Sequence, residues 1–363
     1  MVTPSHAHDL AAPPPAVWNS DQDDALRCVQ VRQETHDVKT FVLAAGGPRH
    51  FRYLPGQFIT LELDIGGRKL NRCYTLSSTP TRPDLVSITV KRVPGGPVSN
   101  WLHDHLSVGM TLGAIGPSGE FSCFHHAPAP RYLFLSGGSG ITPLMSMTRA
   151  LHDLGSEADI VFTHCARSPV DLIFPEELTL MARNMAKLRL AMVCEQHAPG
   201  SAYAGHLGRM DAARLAHIAP DFMARDIYTC GPAPFMAAIR QLLSVASYDM
   251  ARYREESFSF AAPAEPEPAP LVDGASAAHS IVLQTSGQSF SCRSDQTLLQ
   301  AAQAAGLRLP SSCSNGVCGT CKTRKTSGEV EMKHNGGIRP REIAQGWILP
   351  CCSKPLSDIA LER

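Results

Sequence analysis

At 363 residues the chain is long enough for two or three domains, and its 44% hydrophobic and 18% charged content is that of a globular protein. Thirty-three Lys and Arg balance thirty-three Asp and Glu, so a general nucleic-acid or anionic-membrane binder is excluded. The first residues lack a basic stretch followed by an apolar one, and no run reaches the length of a membrane span, so the expected location is cytoplasmic, with no membrane partner.

Residues 1 to about 22, rich in Ala, Pro, His and Asp, show no periodicity and read as a flexible arm. From Leu26 to about Phe124 short strand-like runs alternate with turns, and Gly66-Gly67 is a hairpin signal. Many short strands at close spacing predict an antiparallel β-barrel. A single helix, starting at about Ser99, interrupts it. At Arg131 the grammar changes. Tyr132–Ser136 is an apolar run, followed by a glycine turn (Gly137, Gly138, Gly140) and a helical stretch, and the strand–helix alternation recurs up to about Leu243. That pattern predicts an α/β domain with a parallel sheet. Prolines 263, 266, 268 and 270 mark an extended linker. Beyond it lies a small α+β unit of alternating strands and one helix from Thr297.

Near the end stands Cys313, Cys318 and Cys321 in C-x4-C-x2-C spacing, with further cysteines at 351 and 352. Two irons need four thiolates, and three on one tight loop with a fourth from afar is the plant-type 2Fe–2S arrangement. The loop side chains are small (Ser314, Gly316, Gly319, Thr320), so backbone N–H groups can point at the sulfurs. A structural zinc site would usually show two C-x2-C pairs, and only one is present. Cys28, Cys73, Cys123, Cys165, Cys194, Cys230, Cys292 and Cys352 are scattered through apolar or strand-like stretches, as expected for reduced thiols.

Two weaker motifs precede this loop. Arg72-Cys73-Tyr74-Thr75 offers a cation for a diphosphate, a flat face and a hydroxyl. Gly95-Gly96-Pro97-Val98-Ser99 opens the barrel's helix and can cradle a phosphate. Taken in order with Gly137-Gly138-Ser139-Gly140-Ile141-Thr142-Pro143 and Cys230-Gly231-Pro232, they resemble the ferredoxin–NADP reductase superfamily. With the C-terminal cluster unit, the chain looks like a reductase component of a multicomponent oxygenase. The resemblance implies an FAD-binding barrel (23–127), an NAD-binding domain (128–260), a linker (261–278) and a β-grasp 2Fe–2S ferredoxin domain (279–363), after the arm (1–22).

By that resemblance Arg72 binds the FAD diphosphate, Tyr74 packs on the isoalloxazine and Thr75 reaches its N5 side. Gly96, Val98 and Ser99 hold the phosphates. Gly138, Gly140 and Thr142 line the nicotinamide-nucleotide site, with Cys230, Gly231 and Pro232 near the nicotinamide. Thr75 and Cys230 are the residues implied closest to the hydride transfer. Glu256-Ser257-Phe258 matches the family's acidic–aromatic segment that ends the nucleotide domain beside the flavin. Trp347-Ile348-Leu349-Pro350-Cys351 matches the family's ending around the fourth ligand, which selects Cys351 over Cys352. For Cys230 a buried structural thiol, and for Phe258 a core anchor, are the competing readings.

Clustered cations would be needed for the 2′-phosphate of NADPH, and the segment after the second nucleotide-domain strand carries only Arg167, followed by Pro169 and Asp171; NADH is therefore expected. NADH gives two electrons at once and the cluster takes one, so a flavin must stand between them. The implied partner is the Rieske centre of a separate non-haem iron oxygenase. The runs Val90–Asp104 and Arg167–Phe174 resemble reductases serving glycine betaine monooxygenase and related quaternary-amine demethylases. Lys322, Arg324 and Lys325 flank the cluster loop and read as a patch that could steer an acidic partner. The alternatives are an NADH reductase for another redox protein, such as hybrid-cluster protein, and a cluster-bearing redox sensor.

Overall fold

The computed structural model describes residues 15–20, 22–23, 25–198, 200, 203–258, 278–307, 309, 315–317 and 319–363. The expected linker falls outside them apart from Ala278, which already begins a strand.

The first module is a sheet of β1 (Ala25–Thr35), β2 (Val38–Ala45), β3 (Phe58–Ile65), β4 (Arg68–Thr75), β5 (Val86–Lys91) and β6 (Thr111–Ser118). The order is β4-β3-β6-β1-β2-β5 and every pairing is antiparallel. Leu76, just past β4, bridges Ile88 of β5, which joins the two ends and closes the barrel. Gly66 and Gly67 carry φ of 60° and 77°, the pair of positive values a type I′ hairpin turn requires. Leu26, Phe41, Leu43, Ile59, Leu61 and Ile88 fill the interior. Helix α1 (Pro97–His105) packs Val98 and Leu102 into that core, with Pro97 at its first position, where a missing N–H costs nothing. The chain before the barrel is not a loose arm throughout. Ala16–Val17 pairs with Arg49–His50, and Trp18 is buried against Phe51, because a large apolar ring gains more from the barrel than from water.

The second module contains β7 (Arg131–Gly137), α2 (Ile141–Asp153), β8 (Asp159–Ala166), α3 (Pro175–Asn184), β9 (Leu188–Cys194), β10 (His206–Leu207), α4 (Ala212–Ile218), β11 (Asp226–Gly231), α5 (Ala233–Val245) and β12 (Tyr253–Ser257). Its sheet is parallel, in the order β10-β9-β8-β7-β11-β12. The run from Tyr132 to Leu135 is apolar throughout because both faces are covered. Tyr132 and Phe134 face Leu144 of α2 and Leu178 of α3. Leu133 and Leu135 face Leu215 of α4 and Ile239 of α5. The strand order reverses between β7 and β11, so a ligand crevice is expected at their carboxyl ends. Helix α2 is buried on both sides because it also meets the barrel. There Arg149 donates to the Ser77 carbonyl while pairing with Glu177 at 2.6 Å, and Ser146 donates to the Ser78 carbonyl.

The third module contains β13 (Ala278–Leu283), β14 (Gln288–Arg293), α6 (Leu298–Ala304), β15 (Thr323–Ser327), α7 (Pro340–Ala344), β16 (Trp347–Ile348) and β17 (Ile359–Leu361), in the sheet order β14-β13-β17-β15-β16. Antiparallel and parallel pairings mix, with β13 and β17 running parallel at the centre, and α6 lies across the sheet with Leu298, Leu299 and Ala302 in the core. A reciprocal cap between Thr297 and Gln300 starts α6. This is the α+β, β-grasp arrangement. Among the described residues, no helix is long and apolar enough to cross a membrane.

Candidate functional site

A cavity of about 670 Å³ opens where the three modules meet. The barrel contributes Arg72, Tyr74 and Thr75 from the end of β4, and Gly96, Val98 and Ser99 from the start of α1. The second module contributes Thr142, Glu256 and Phe258, and the third Asn315, Val317 and Thr320. The sheet closure explains the first group. Residues 72–75 end β4 immediately before Leu76 bridges β5, which brings this segment to the cavity wall.

The start of α1 suits an anion. Gly96 caps it without a side-chain bond, and Pro97 has no N–H, so the Val98 and Ser99 amides have no partner within the helix. Ser99 Oγ accepts from the Val93 amide at 3.1 Å and donates to the Gly96 carbonyl at 3.4 Å, which pins the glycine turn against the helix. Thr142 Oγ1 donates to the Ser139 carbonyl at 3.2 Å and holds the second glycine turn in the same way. Gly140 must be glycine: any Cβ would overlap the Cys230 carbonyl, so the two loops of the nucleotide crevice touch through backbone alone.

Of the residues expected at the nicotinamide-nucleotide site, Thr142 lines the cavity, whereas Gly138, Gly140, Cys230, Gly231 and Pro232 do not; Phe258, expected beside the flavin, lines it too. Cys230 is fully buried, and burial first, then the nearby Glu256 carboxyl, pushes its thiol well above the ordinary range. It is therefore a neutral thiol rather than a nucleophile. Phe258 packs against the second module's core and also lines the cavity.

Lys91, Asn71 and Cys73, for which no motif assigned a role, line the cavity, as does Glu256 of the acidic–aromatic segment. Lys91 pairs with Asp37 at 3.1 Å. Glu256 sits beside Cys230 in the sheet register, and its Oε2 atom is buried with no hydrogen-bond partner. Burial alone raises its carboxyl to about 8. The acidic–aromatic segment placed it beside the flavin, but its burial without a partner is visible only in the fold.

At the cluster loop, Cys313 and Cys318 lie outside the described residues. Cys321 and Cys351 are buried in the third module's core, and Cys351 Sγ accepts the Gly316 N–H at 3.3 Å. Cys352 Sγ instead lies 3.6 Å from the Leu349 carbonyl. Gly319, at φ of 69°, is closed over by the Gly337 carbonyl, which leaves no room for a side chain. The loop lies against the barrel: Val317 O is 3.5 Å from Thr60 Oγ1 and 3.8 Å from Cys73 Sγ. The expected cationic patch is corrected at Lys322. Lys322 is turned inward, 2.6 Å from Glu342 and 3.7 Å from Glu62 of the barrel, because those carboxylates compete for it. Arg324 pairs with Glu362 and Lys325 donates to the Gly328 carbonyl.

These residues fit the groups the motifs imply. A helix start with open amides beside an arginine and a tyrosine suits a flavin diphosphate and ring. Two buried thiols, one already receiving an amide N–H, suit a thiolate-bound cluster. Fold and site thus define an oxidoreductase that joins a flavin, a nicotinamide nucleotide and a 2Fe–2S cluster. Family models agree: an oxidoreductase FAD-binding domain matches residues 25–123, an oxidoreductase NAD-binding domain 134–241 and a 2Fe-2S iron-sulfur cluster binding domain 281–356.

The chain is 47% identical to the glycine betaine monooxygenase reductase subunit of Pseudomonas aeruginosa, over 93% of this chain and 94% of that one. It is 44% identical to a stachydrine N-demethylase reductase subunit of Rhizobium meliloti, over 93% and 96%. Phthalate dioxygenase reductase shares the fold with a TM-score of 0.57 at 23% identity, covering 95% of this chain and all of that one (100%). The chain belongs to the family of three-module reductase components that carry FAD-binding, NAD-binding and 2Fe–2S domains.

Proposed function

We propose that this protein is the NADH-dependent reductase of a Rieske non-haem iron oxygenase that demethylates glycine betaine or a related quaternary amine. The observation that carries the electron-transfer reading is the single cavity lined by all three modules. The partner reading is supported by the names of the relatives at 47% and 44% identity. A bound flavin supplies the conversion between a two-electron donor and a one-electron acceptor.

The chain's own residues do the positioning. Arg72 and the Val98 and Ser99 amides beyond Gly96 hold the FAD diphosphate. Tyr74 packs on the ring and Thr75 faces its N5 side. Gly138, Gly140 and Thr142 receive the nucleotide at the crevice, where Cys230, Gly231 and Pro232 form the floor and Phe258 borders the ring. Cys313, Cys318, Cys321 and Cys351 hold the cluster. The boundaries 1–22, 23–127, 128–260, 261–278 and 279–363 divide these roles, and the protein is cytoplasmic. NADH is favoured over NADPH because the segment after β8 carries a single cation, Arg167, and that one lies 3.3 Å from Asp171 and 3.7 Å from Asp37.

Arg72→Ala should weaken flavin retention by about 1.5–3 kcal/mol, the worth of a charge-assisted phosphate contact. Flavin occupancy after dilution and gel filtration measures this, and undiminished occupancy would remove Arg72 from the site. The partner is tested by reconstitution with NADH, oxygen and a candidate Rieske oxygenase, measuring formaldehyde from N-demethylation. Coupled release of formaldehyde is expected. Absence of turnover with every such oxygenase, alongside efficient reduction of a hybrid-cluster protein, would favour the other reductase reading.

A further inference from the structure

The strongest unexplained feature is a buried cation between modules. Arg339, at the start of α7, is only 4% exposed although it lies on the surface of its own small module. Its guanidinium crosses to the barrel. Nη2 donates to Glu62 Oε2 at 2.6 Å and to the Ala114 carbonyl at 3.2 Å, and Nε donates to the Ser20 carbonyl at 3.1 Å. On its own side, Glu342 accepts the Arg339 backbone N–H at 2.8 Å and takes Lys322 Nζ at 2.6 Å. Lys322 in turn approaches the other oxygen of Glu62 at 3.7 Å. Two cations and two carboxylates alternate across the seam.

Such a network is poorly suited to strong adhesion, because the desolvation of its charges offsets much of their attraction. It is well suited to fixing a pose. A guanidinium donates in one plane and in fixed directions, so two backbone carbonyls and a carboxylate accept it in one orientation only. That orientation presses the Val317 carbonyl toward Thr60 and Cys73, and places Asn315, Val317 and Thr320 in the wall of the flavin cavity. If the modules part, every member of the network returns to water, where a charge needs no partner.

We propose that Arg339, locked to Glu62 with Lys322 and Glu342, is the positioning residue that docks the cluster module on the barrel for the internal electron step. This rests on the reductase reading above. Among the described residues Arg339 does not line the flavin cavity, and its effect is exerted through the pose of the described loop residues 315–317 and 319–320.

The test uses the full chain, loaded with flavin and cluster, as Arg339→Ala, Glu62→Gln and the charge swap Arg339→Glu/Glu62→Arg. Glu62→Gln loosens the contact from the barrel side without altering the cluster module, so it remains informative if Arg339→Ala fails to fold. Two readouts are taken. Amide hydrogen exchange should rise at 315–317 and 338–343 in both single variants. In anaerobic stopped flow with NADH, flavin reduction should keep its rate while the following bleaching of the cluster slows by about tenfold or more, a loss of about 1.4 kcal/mol of barrier stabilisation. The charge swap should recover neither, because a carboxylate at 339 cannot donate to the Ser20 and Ala114 carbonyls and would face Glu342, while a guanidinium at 62 would face Lys322. Full recovery would mean that simple charge pairing, not the directed guanidinium, sets the pose. Unchanged exchange and unchanged cluster bleaching in the single variants, with normal behaviour of the unmodified chain, would overturn this inference alone. An unmodified chain whose cluster never responds to NADH would overturn the reductase reading, and this inference with it.

Discussion

Cys351→Ser should yield a protein that keeps its flavin and loses its 2Fe–2S absorption, while Cys352→Ser keeps both. The two residues are neighbours, yet their sulfurs have different surroundings. A turn fixes them: the Cys352 amide and the Ser353 hydroxyl both donate to the Leu349 carbonyl, at 3.0 and 2.9 Å. With the backbone so held, Cys351 Sγ accepts the Gly316 amide at 3.3 Å, whereas Cys352 Sγ, although it also lies against Gly316, receives no such amide among the described residues and is directed at the Leu349 carbonyl. Amide donors aimed at a sulfur favour the thiolate that iron requires. Disturbing only a supporting partner of a metal ligand costs about 10–100-fold in affinity, so removing the ligand itself should cost more. Iron content and visible absorption of the two purified variants decide the matter. Ferricyanide reduction, which can draw electrons at the flavin, should survive in Cys351→Ser, while cytochrome c reduction through the cluster should collapse. The opposite pattern of cluster loss would assign the fourth position to Cys352.

What could be read beforehand was whatever local spacing encodes. The apolar run Tyr132–Leu135, covered on both faces, announced a parallel strand, and Gly66-Gly67 announced a hairpin, because each depends on residues a few positions apart. The order of the motifs was legible for the same reason. The relation between modules was not. Arg339 and Glu62 are 277 positions apart, and neither sits in a motif, so nothing near either residue signals that they meet. Lys322 was misread as an outward cation because sequence shows its charge and hides the two carboxylates that turn it inward. Trp18 was read as part of a loose arm because the surrounding prolines and alanines carry no period, although one aromatic ring is enough to anchor the strand beside it. Glu256 was legible as the acidic member of its segment, but not the burial of its Oε2 without a hydrogen-bond partner, which is a property of the assembled cavity.

That isolation of Glu256 leads to a large pH effect. Its carboxyl is raised from 4.5 to about 8, with burial as the cause. In the unfolded chain the acid ionises at its ordinary value, while the folded protein retains the proton up to about pH 8. Between those limits the folded state binds more protons than the unfolded one, so stability falls as pH rises and levels off above the folded value. At 1.36 kcal/mol per unit, the full difference is about 5 kcal/mol above pH 8 and about 3 kcal/mol at pH 7. Glu256→Gln keeps the shape and a donor but cannot ionise. In the flavin-free chain, where no bound ligand is linked to the transition, the variant and the parent should therefore be similar near pH 4.5. The variant should become progressively more stable than the parent as pH rises to about 8, and the gap should stay constant beyond. Denaturation midpoints across that range measure the gap directly, and taking the difference removes the contribution of every other titrating group that the substitution leaves alone. Parallel curves would mean that water or a neighbouring donor reaches the carboxylate. A widening gap would mean that Glu256 stands protonated at neutral pH, ready to donate a hydrogen bond into the cavity where the three modules meet.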